Sequence, residues 1–489
     1  MPYGGAVSDG GSYDVVVVGN GVLGLSLGVS LARRDLSVAV VGERARPYAA
    51  SAAAGAMLGC FGEVTSTLLA SSHGRRKIDL GVEAQRLWPG WLEALRSDSG
   101  RNTDDLVTAD GTVVILNTVG VAGIDSANFQ AIQSALTTYE QKHEELDADA
   151  IAWISPDTAA RPLRALFLAD EHAVDSAALL VTLEAAFIAL GGTLVDDSVT
   201  ALDHLAGRVR GVALSSGAAL SGGEVVLAAG AASQAVVASM PDLAERMPPL
   251  ISGYGLSALL SAPESPGPRH VVRTPNRAFA CGLHLVPRNA NEVYVGATNV
   301  ISTMPVTTPV IRDVQFLLDC AARQLHRDFW TAGVNRIQVG NRPVALDGFP
   351  LIGLAVPGLW MLTGTYRDGL HLSPLLAEEM AARIVGDESR VDLSPFAPVR
   401  APIQSASRRD IVETSVTHMV ATGYEHDWRV PVEWPRTMEH SLRLEFSRFA
   451  EMIHPQFTPP PEILAAARYA PELVMMLRKF YGSGQAAGV

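Results

Sequence analysis

The strongest constraint on the fold is a glycine-rich turn, Gly19-Asn20-Gly21-Val22-Leu23-Gly24, which lies between two apolar stretches. The stretch before it, Asp14 to Val18, is a short valine-rich run of the kind that forms buried parallel strands. After the turn, the sequence predicts a helix from about Val22 to Arg34 and a second strand from Ser37 to Val41. Together these segments predict a βαβ unit of about 30 residues.

Each glycine of this turn has a physical role in binding a dinucleotide. Gly19 makes the tight turn, Gly21 lets the backbone approach a pyrophosphate, and Gly24 lets the helix pack closely on the strand. The N-terminus of the helix supplies positive potential for the phosphates. Glu43, at the end of the second strand, is placed to accept a hydrogen bond from a ribose hydroxyl. The pattern predicts a dinucleotide site, with an ordinary tight turn as the alternative, and it does not distinguish NAD(P) from FAD.

The net charge and the cysteine content limit which binding partners and which cellular compartment are expected. A net charge of −13 argues against a general nucleic-acid surface, which needs a basic face, so an anionic substrate must meet a local arginine. The three cysteines, Cys60, Cys281 and Cys320, fit neither a disulfide framework nor a zinc site, which favours the reducing cytoplasm and no bound metal. Because glycines interrupt the apolar segment from Val15 to Ala32, we expect neither a membrane span nor a targeting signal.

Several later stretches carry a more specific pattern. In chain order they are Ser51-Ala52-Ala53-Ala54-Gly55-Ala56-Met57-Leu58, Val225 to Ala231, Leu285-Val286-Pro287-Arg288 with Val295-Gly296-Ala297-Thr298, Asn341-Arg342-Pro343 through Gly353, and Gly364-Thr365-Tyr366-Arg367-Asp368-Gly369-Leu370. In content and order they resemble the glycine oxidase and D-amino-acid oxidase family, over roughly residues 13 to 390. The resemblance implies FAD, not NAD(P), as the cofactor.

The same resemblance implies an α/β fold in which a Rossmann-like FAD-binding domain interleaves with a mixed α+β substrate domain. A helical C-terminal extension follows them. The expected segments are 13–58, 165–235 and 340–399 for the FAD-binding domain, 59–164 and 236–339 for the substrate domain, and 400–489 for the extension.

Local patterns add further expectations about individual elements. The sequence predicts a hairpin whose two strands are Leu283 to Val286 and Glu292 to Val295. Ser373 is expected to cap a helix, with Pro374 as the first helical residue. Helical pieces from Met438 to Ile453 and from Pro461 to Tyr481 are expected in the extension.

The resemblance also assigns roles to individual side chains. Arg342 matches the arginine that grips the substrate carboxylate, a task that suits a planar, always-charged guanidinium, although a structural salt bridge is the alternative. Arg367 matches the arginine beside the flavin, where it contacts substrate or braces its loop. His284 stands where glycine oxidases have a tyrosine, so it is expected to bond a carboxylate, to titrate or to fill the pocket wall. The cofactor-binding residues that we expect are Gly19, Gly21, Gly24, Glu43, Arg44, Ser51, Ala54, Met57, Val199, Gly230, Gly364, Tyr366, Arg367, Asp368, Gly369 and Leu370.

These assignments imply the oxidation of a primary or secondary amine, in particular an α-amino acid. A hydride would pass from the α-carbon to flavin N5, and the imine would then be hydrolysed. Molecular oxygen is the expected acceptor, giving hydrogen peroxide. Three alternatives stay open: a dehydrogenase of the same fold with another acceptor, a non-catalytic flavin-binding subunit, and an aromatic hydroxylase. Assembly of identical chains is also left open.

The extension after residue 400 has no counterpart in the small glycine oxidases. Its helical pieces, with Trp428, Trp434 and Phe446, are expected to cover an exposed surface, to form a subunit contact or to close the pocket. The sequence does not rank these three roles.

Overall fold

The computed structural model describes residues 11–119, 121–264, 266–276, 280–426 and 428–486, and it describes the backbone alone for 122, 280, 281 and 483–486. Cys60 is a free thiol, Cys320 is buried, and the side chain of Cys281 lies outside the described residues. Among the described residues, none of the helices combines the length and the apolar character that crossing a bilayer requires.

Strands and helices alternate in the first three quarters of the described chain, and helices alone make up the C-terminal part. The strands are β1 Gly11–Val18, β2 Val38–Val41, β3 Met57–Leu58, β4 Val107–Ala109, β5 Thr112–Asn117, β6 His143–Leu146, β7 Pro162–Leu168, β8 His172–Val174, β9 Thr193–Val195, β10 Val199–Leu205, β11 Arg208–Leu214, β12 Ala219–Leu227, β13 Leu250–Ser261, β14 Val271–Arg273, β15 Ala280–Asn289, β16 Glu292–Thr298, β17 Val300–Ser302, β18 Val334–Ala345, β19 Leu351–Val356 and β20 Leu359–Thr363. The helices are α1 Val22–Ala32, α2 Ser66–Ala70, α3 Ser72–Ser99, α4 Ala122–Thr138, α5 Ser176–Ala189, α6 Ser233–Val237, α7 Pro241–Ala244, α8 Ile311–Gln324, α9 Ser373–Val385, α10 Arg408–Glu425, α11 Trp434–Ile453, α12 Pro461–Ala467 and α13 Pro471–Ala486.

The first sheet is built around the predicted βαβ unit. Its order is β10-β11-β12-β1-β2-β9, with β20 on β12 and β19 on β20. β1 pairs in parallel with both β2 and β12, as the valine-rich sequence predicts. Val15 to Val18 are buried on both faces of the sheet. Val15 and Val17 pack in one hydrophobic core with α1, α5 and α9, and Val16 and Val18 pack in a second core with β11 and α6. The glycine-rich turn therefore lies at the carboxyl end of a central strand, where α/β sheets bind ligands.

The second sheet is mostly antiparallel and includes the predicted hairpin. Its order is β17-β13-β16-β15-β14-β5-β7-β6, with β18 on β13. In the hairpin, Leu285 of β15 lies opposite Val295 of β16. β18 pairs with β13 on both sides of position 340. The chain then continues from β18 in this sheet to β19 in the first sheet. The division of the chain into two interleaved domains at the positions given above stays a prediction.

The predicted capping role of Ser373 is wrong. Leu372 occupies the N-cap position, Ser373 is the first helical residue, and its hydroxyl has no hydrogen-bond partner in the part of the chain that the structure describes. The reason is that helical bonding already begins at Leu372, whose carbonyl accepts from the Leu376 N–H group. Pro374 still lies in the first turn, where its missing N–H group costs nothing.

The C-terminal extension packs on the second sheet through a core of its own. Phe446 is fully buried there, together with Ile251 and Val344 of the sheet. Trp434, by contrast, is 56% exposed, and Trp428 packs on Gly423 and the ring of Tyr424. The helix expected from Pro461 to Tyr481 is divided in two, α12 and α13, because Pro471 starts a new helix.

A buried ion pair fixes the start of the extension. The Arg400 guanidinium binds both carboxylate oxygens of Asp347, at 2.9 and 2.8 Å, and also donates to the carbonyls of Phe349, Pro350 and Ala397. The exposed fractions of the Arg400 and Asp347 side chains are 9% and 0%. Such a pair is costly to break from one side, since the remaining charge stays buried without a partner.

We therefore expect Arg400→Met to lower the free energy of unfolding by about 3–5 kcal/mol, because it leaves the Asp347 carboxylate buried and unpaired. Arg443→Met is the matched control, since Arg443 pairs with Glu413 on the exposed surface of the same extension. That variant should cost less than about 1 kcal/mol. Chemical denaturation of both variants measures the difference, and equal losses would contradict the anchoring role of Arg400.

Candidate active site

A cavity of about 470 Å³ runs along the carboxyl ends of the first-sheet strands and reaches the second sheet. Fifteen of the eighteen side chains or glycines that the sequence assigns to the site line this cavity. They are Gly19, Gly21, Glu43, Ser51, Ala54, Met57, Val199, Gly230, His284, Arg342, Tyr366, Arg367, Asp368, Gly369 and Leu370. The three that do not line it are Gly24, Arg44 and Gly364.

The glycine-rich turn has the shape that a pyrophosphate cradle needs. Gly19 has φ +116°, and a Cβ there would lie 2.5 Å from the carbonyl oxygen of Ala228. A Cβ on Gly24 would overlap the carbonyl oxygen of Gly19, so Gly24 acts in packing and not by touching a ligand. The Val22 N–H group donates to Ser51 Oγ at 3.1 Å, which joins the start of α1 to the Ser- and Ala-rich segment. This end of the cavity fits the pyrophosphate of a dinucleotide.

Glu43, the acidic residue expected at the ribose, lines the cavity, but the arginine that lines it nearby is Arg46 and not the predicted Arg44. Glu43 Oε1 accepts a hydrogen bond from Ser198 Oγ at 2.6 Å on the cavity wall. The Arg44 N–H group donates to Asp196 at 2.8 Å, away from the cavity lining. Arg46 lines the cavity instead, donates to the Asn20 carbonyl at 2.8 Å and pairs with Glu184. The sequence offers no signal that would select Arg46 over Arg44.

Arg342 lies on β18 and lines the opposite end of the cavity. Its Nη1 donates to the carbonyls of Thr298 and Gly253, at 3.2 and 3.5 Å, and to Asn299 Oδ1 at 3.4 Å. Among the described residues, no carboxylate lies within ion-pair distance of the Arg342 guanidinium. Gly255 makes room for it, because a Cβ at that position would collide with the guanidinium. A positive charge thus faces the cavity without a carboxylate among the described residues to neutralise it.

His284 forms part of the wall beside Arg342. The ring is 5% exposed, stacks on Tyr294 at 5.7 Å between centroids, and has Nδ1 3.3 Å from the Gly282 carbonyl. Burial, followed by the positive charge of Arg273, lowers the pKa of His284 to about 3. The imidazole is therefore neutral at physiological pH and does not titrate there.

This burial gives a pH-dependent stability. The pKa of His284 is about 3 in the folded protein and near 6.5 in the unfolded chain, so between these values the unfolded state alone binds the proton. The free energy of unfolding should therefore fall as the pH decreases below 6.5, by about 2 kcal/mol at pH 5 from this residue. Denaturation of the native protein and of His284→Phe at pH 7 and pH 5 measures it. The prediction fails if both proteins lose the same amount.

A buried acid-base cluster that the sequence did not reveal adjoins the cavity. Glu63 pairs with Arg273 at 2.7 Å and accepts a hydrogen bond from Asn276. Burial opposes the ionisation of Glu63, but Arg273 and Arg367 outweigh it and lower its pKa to about 2. Burial raises the pKa of the neighbouring Glu171 to about 7. Glu63 is therefore the ionised acid of this cluster.

The loop from Gly364 to Leu370 brings Arg367 between the cavity and this cluster. Tyr366 has φ +54°, and the Arg367 guanidinium carbon lies 4.9 Å from the centre of its ring. Asp368 pairs with Lys77 of α3 at 2.6 Å, which fixes the loop against that helix. The two interpretations of Arg367, contact with substrate or support of the loop, remain predictions.

Known proteins resemble this chain in both sequence and architecture. The profile of the family described as FAD dependent oxidoreductase (DAO) matches residues 14–383, which leaves the C-terminal extension outside the match. Glycine oxidase from Geobacillus kaustophilus is 28% identical over 417 residues, covering 79% of this chain and 97% of that protein. The crystal structure of glycine oxidase from Geobacillus kaustophilus has a TM-score of 0.68 at 24% identity, covering 80% of this chain and 99% of that one.

A second relative is longer than this chain. The bifunctional protein ThiO/ThiG of Nostoc sp. is 27% identical over 403 residues, which cover 81% of this chain and 56% of that protein. The chain thus spans about half the length of this relative.

Proposed function

The chain belongs to the DAO family of FAD-dependent oxidoreductases, and from this premise we propose that it oxidises an α-amino acid, primary or secondary at nitrogen. The glycine oxidase from Geobacillus kaustophilus matches over nearly its whole length, which supports this reaction class. The cytoplasm is the proposed compartment, on the cysteine content given above. Molecular oxygen is the proposed acceptor.

The environment of the Arg342 guanidinium is the observation that supports a carboxylate-bearing substrate. The Arg342 guanidinium faces the cavity with carbonyl and amide oxygens as its described partners and without a described carboxylate. A guanidinium at such a position attracts an anionic group and can bind a carboxylate through two parallel hydrogen bonds. A simple amine without a carboxylate would leave this charge uncompensated.

The residues at one end of the cavity would hold the nucleotide part of FAD. The glycine-rich turn and the start of α1 would hold the pyrophosphate, and Glu43 the ribose. When bound, FAD supplies the acceptor for the hydride from the substrate α-carbon. The neutral His284 ring cannot repel the positive amine nitrogen and cannot take part as an acid near pH 7. It shapes the wall next to the carboxylate.

The proposal is tested by the products that purified holoenzyme forms in air. Incubation with glycine, sarcosine and D- and L-amino acids should release an oxo acid, together with ammonia or a primary amine, and one equivalent of hydrogen peroxide. Formation of the oxo acid without peroxide, restored by an added quinone or dye, would replace oxygen by another acceptor. Absence of the oxo acid with every acceptor would contradict amine oxidation.

A further inference from the structure

A second cavity, of about 210 Å³, lies against the first one. Its volume is several times the roughly 30 Å³ that one water molecule occupies in the liquid. The two cavities share the wall residues Glu63, Tyr366, Arg367, Asp368 and His371. A ligand group in the second cavity is therefore next to the loop that borders the flavin and substrate site.

The outer wall of the second cavity comes from the C-terminal extension. Helix α10 contributes Ile411, Thr414 and His418, and the segment that starts α12 contributes Pro460 to Glu462. The match to the family ends at residue 383, so this wall is built from a part of the chain outside the match. The extension therefore limits the size and the chemistry of what occupies this cavity.

The acidic side chains of the second cavity differ in whether they have a basic partner. Three of them are paired. The pairs are Glu63 with Arg273 at 2.7 Å, Asp368 with Lys77 at 2.6 Å, and Asp347 with Arg400 at 2.8 Å. Glu462 has no ion-pair or side-chain hydrogen-bond partner among the described residues, and its carboxylate is bonded by its own backbone N–H group.

The environment of Glu462 is unfavourable for an unpaired carboxylate. Burial raises its pKa, and the more distant charges of Arg367 and Lys77 compensate in part. The residue is half-buried, and a carboxyl group that is partly removed from water without an ion-pair partner costs free energy that a ligand can offset. The chemistry that satisfies it best is a positively charged hydrogen-bond donor.

We propose that the second cavity is a subsite for the distal end of the substrate, in which Glu462 binds a cationic group such as a side-chain ammonium. The inference rests on the proposed function, because it takes the reacting amino-acid end to lie at Arg342. It names the substrate class as a basic amino acid, larger than glycine. Glu462 is then a specificity-determining residue supplied by the extension.

Ligands that carry a carboxylate and a distal ammonium, but no α-amine, test the subsite. Holoenzyme is titrated anaerobically with 4-aminobutanoate, 5-aminopentanoate and 6-aminohexanoate, and with butanoate, pentanoate and hexanoate as matched ligands. The perturbation of the flavin absorption band gives each Kd. We expect at least one amino-carboxylate of the series to bind about tenfold or more tightly than its matched carboxylate, the effect of one charge-assisted hydrogen bond.

Two variants identify the residue responsible. Glu462→Gln should remove most of the tenfold preference, because the amide keeps the shape of the side chain without its charge. Glu472→Gln is the matched control, since Glu472 also follows a proline in the first turn of a helix, α13, but is exposed to solvent. It should keep the preference of the native protein.

The outcomes separate this inference from the proposed function. If α-amino acids reduce the flavin but the native protein shows no preference for the amino-carboxylates, or Glu462→Gln retains it, the subsite is wrong and the proposed function stands. If neither α-amino acids nor any of these carboxylates perturbs the flavin band, the proposed function fails and the subsite with it. Faster flavin reduction by ornithine or lysine than by norvaline or norleucine, lost in Glu462→Gln, would support both.

Discussion

Arg342→Ala is expected to raise the KM for an α-amino acid by about 10²–10³-fold while the protein keeps its FAD, because the substrate carboxylate loses its charged hydrogen-bond partner in the cavity. Arg342 has no described carboxylate partner to leave behind, so its removal should not destabilise the fold. Steady-state kinetics and the flavin absorbance of the purified variant measure the two effects.

Three controls restrict the interpretation of this variant. Arg342→Lys retains the charge but not the planar fork, so it should recover part of the lost affinity. Arg336→Ala, at an exposed position of the same strand β18, should leave the kinetics unchanged. Amines without a carboxylate should lose little when Arg342 is replaced. An unchanged KM for the amino acid in Arg342→Ala would remove this residue from the substrate site.

Gly24→Ala is expected to abolish stoichiometric FAD binding, with at least a tenfold loss of bound flavin. The added Cβ overlaps the carbonyl oxygen of Gly19, so the turn that cradles the pyrophosphate must open. Such overpacking also costs about 2–4 kcal/mol of stability, since backbone atoms cannot move aside as a flexible side chain can. Flavin absorbance per protein and the unfolding midpoint report the two effects.

Gly90→Ala is the same substitution at an open position of helix α3, and its expected effect on stability is the opposite of that of Gly24→Ala. Apart from the neighbouring backbone of α3 itself, no heavy atom of the described residues lies within 4 Å of a Cβ built on Gly90. Alanine should therefore stabilise the protein by about 0.5–1 kcal/mol through helix propensity and leave flavin content unchanged. Full flavin content in Gly24→Ala would show that the turn does not need the close packing seen in the structure.

The sequence predicts the nucleotide-binding half of the fold well, because its signals are local. Valine-rich strands, the glycine turn and Glu43 lie within about 30 residues and form one supersecondary unit. The hairpin of β15 and β16 is local for the same reason. The prediction for Ser373 failed because a backbone-bonded turn from Asp368 to Leu372 already starts the helix, and no side-chain pattern reports that turn.

The parts of the site that could not be predicted depend on distant contacts. Glu63 and Arg273 are separated by 210 residues and meet only after both sheets have formed. Arg44 and Arg46 carry the same charge two positions apart, and the backbone of the turn decides which one reaches the cavity. The placement of Glu462 in the second cavity likewise depends on how α12 packs, which its sequence does not specify.

Reduction of FAD by an amino acid in the larger cavity is the most direct consequence of the proposed function. Anaerobic mixing of purified holoenzyme with glycine, sarcosine, and neutral and basic D- and L-amino acids, followed at the flavin absorption band, tests it most directly. The structure predicts that at least one class bleaches the band, and that the same ligand fails to do so at equal concentration in Arg342→Ala. A bound flavin that no member of this panel reduces would contradict amino-acid oxidation and leave a non-catalytic flavin-binding chain as the better description.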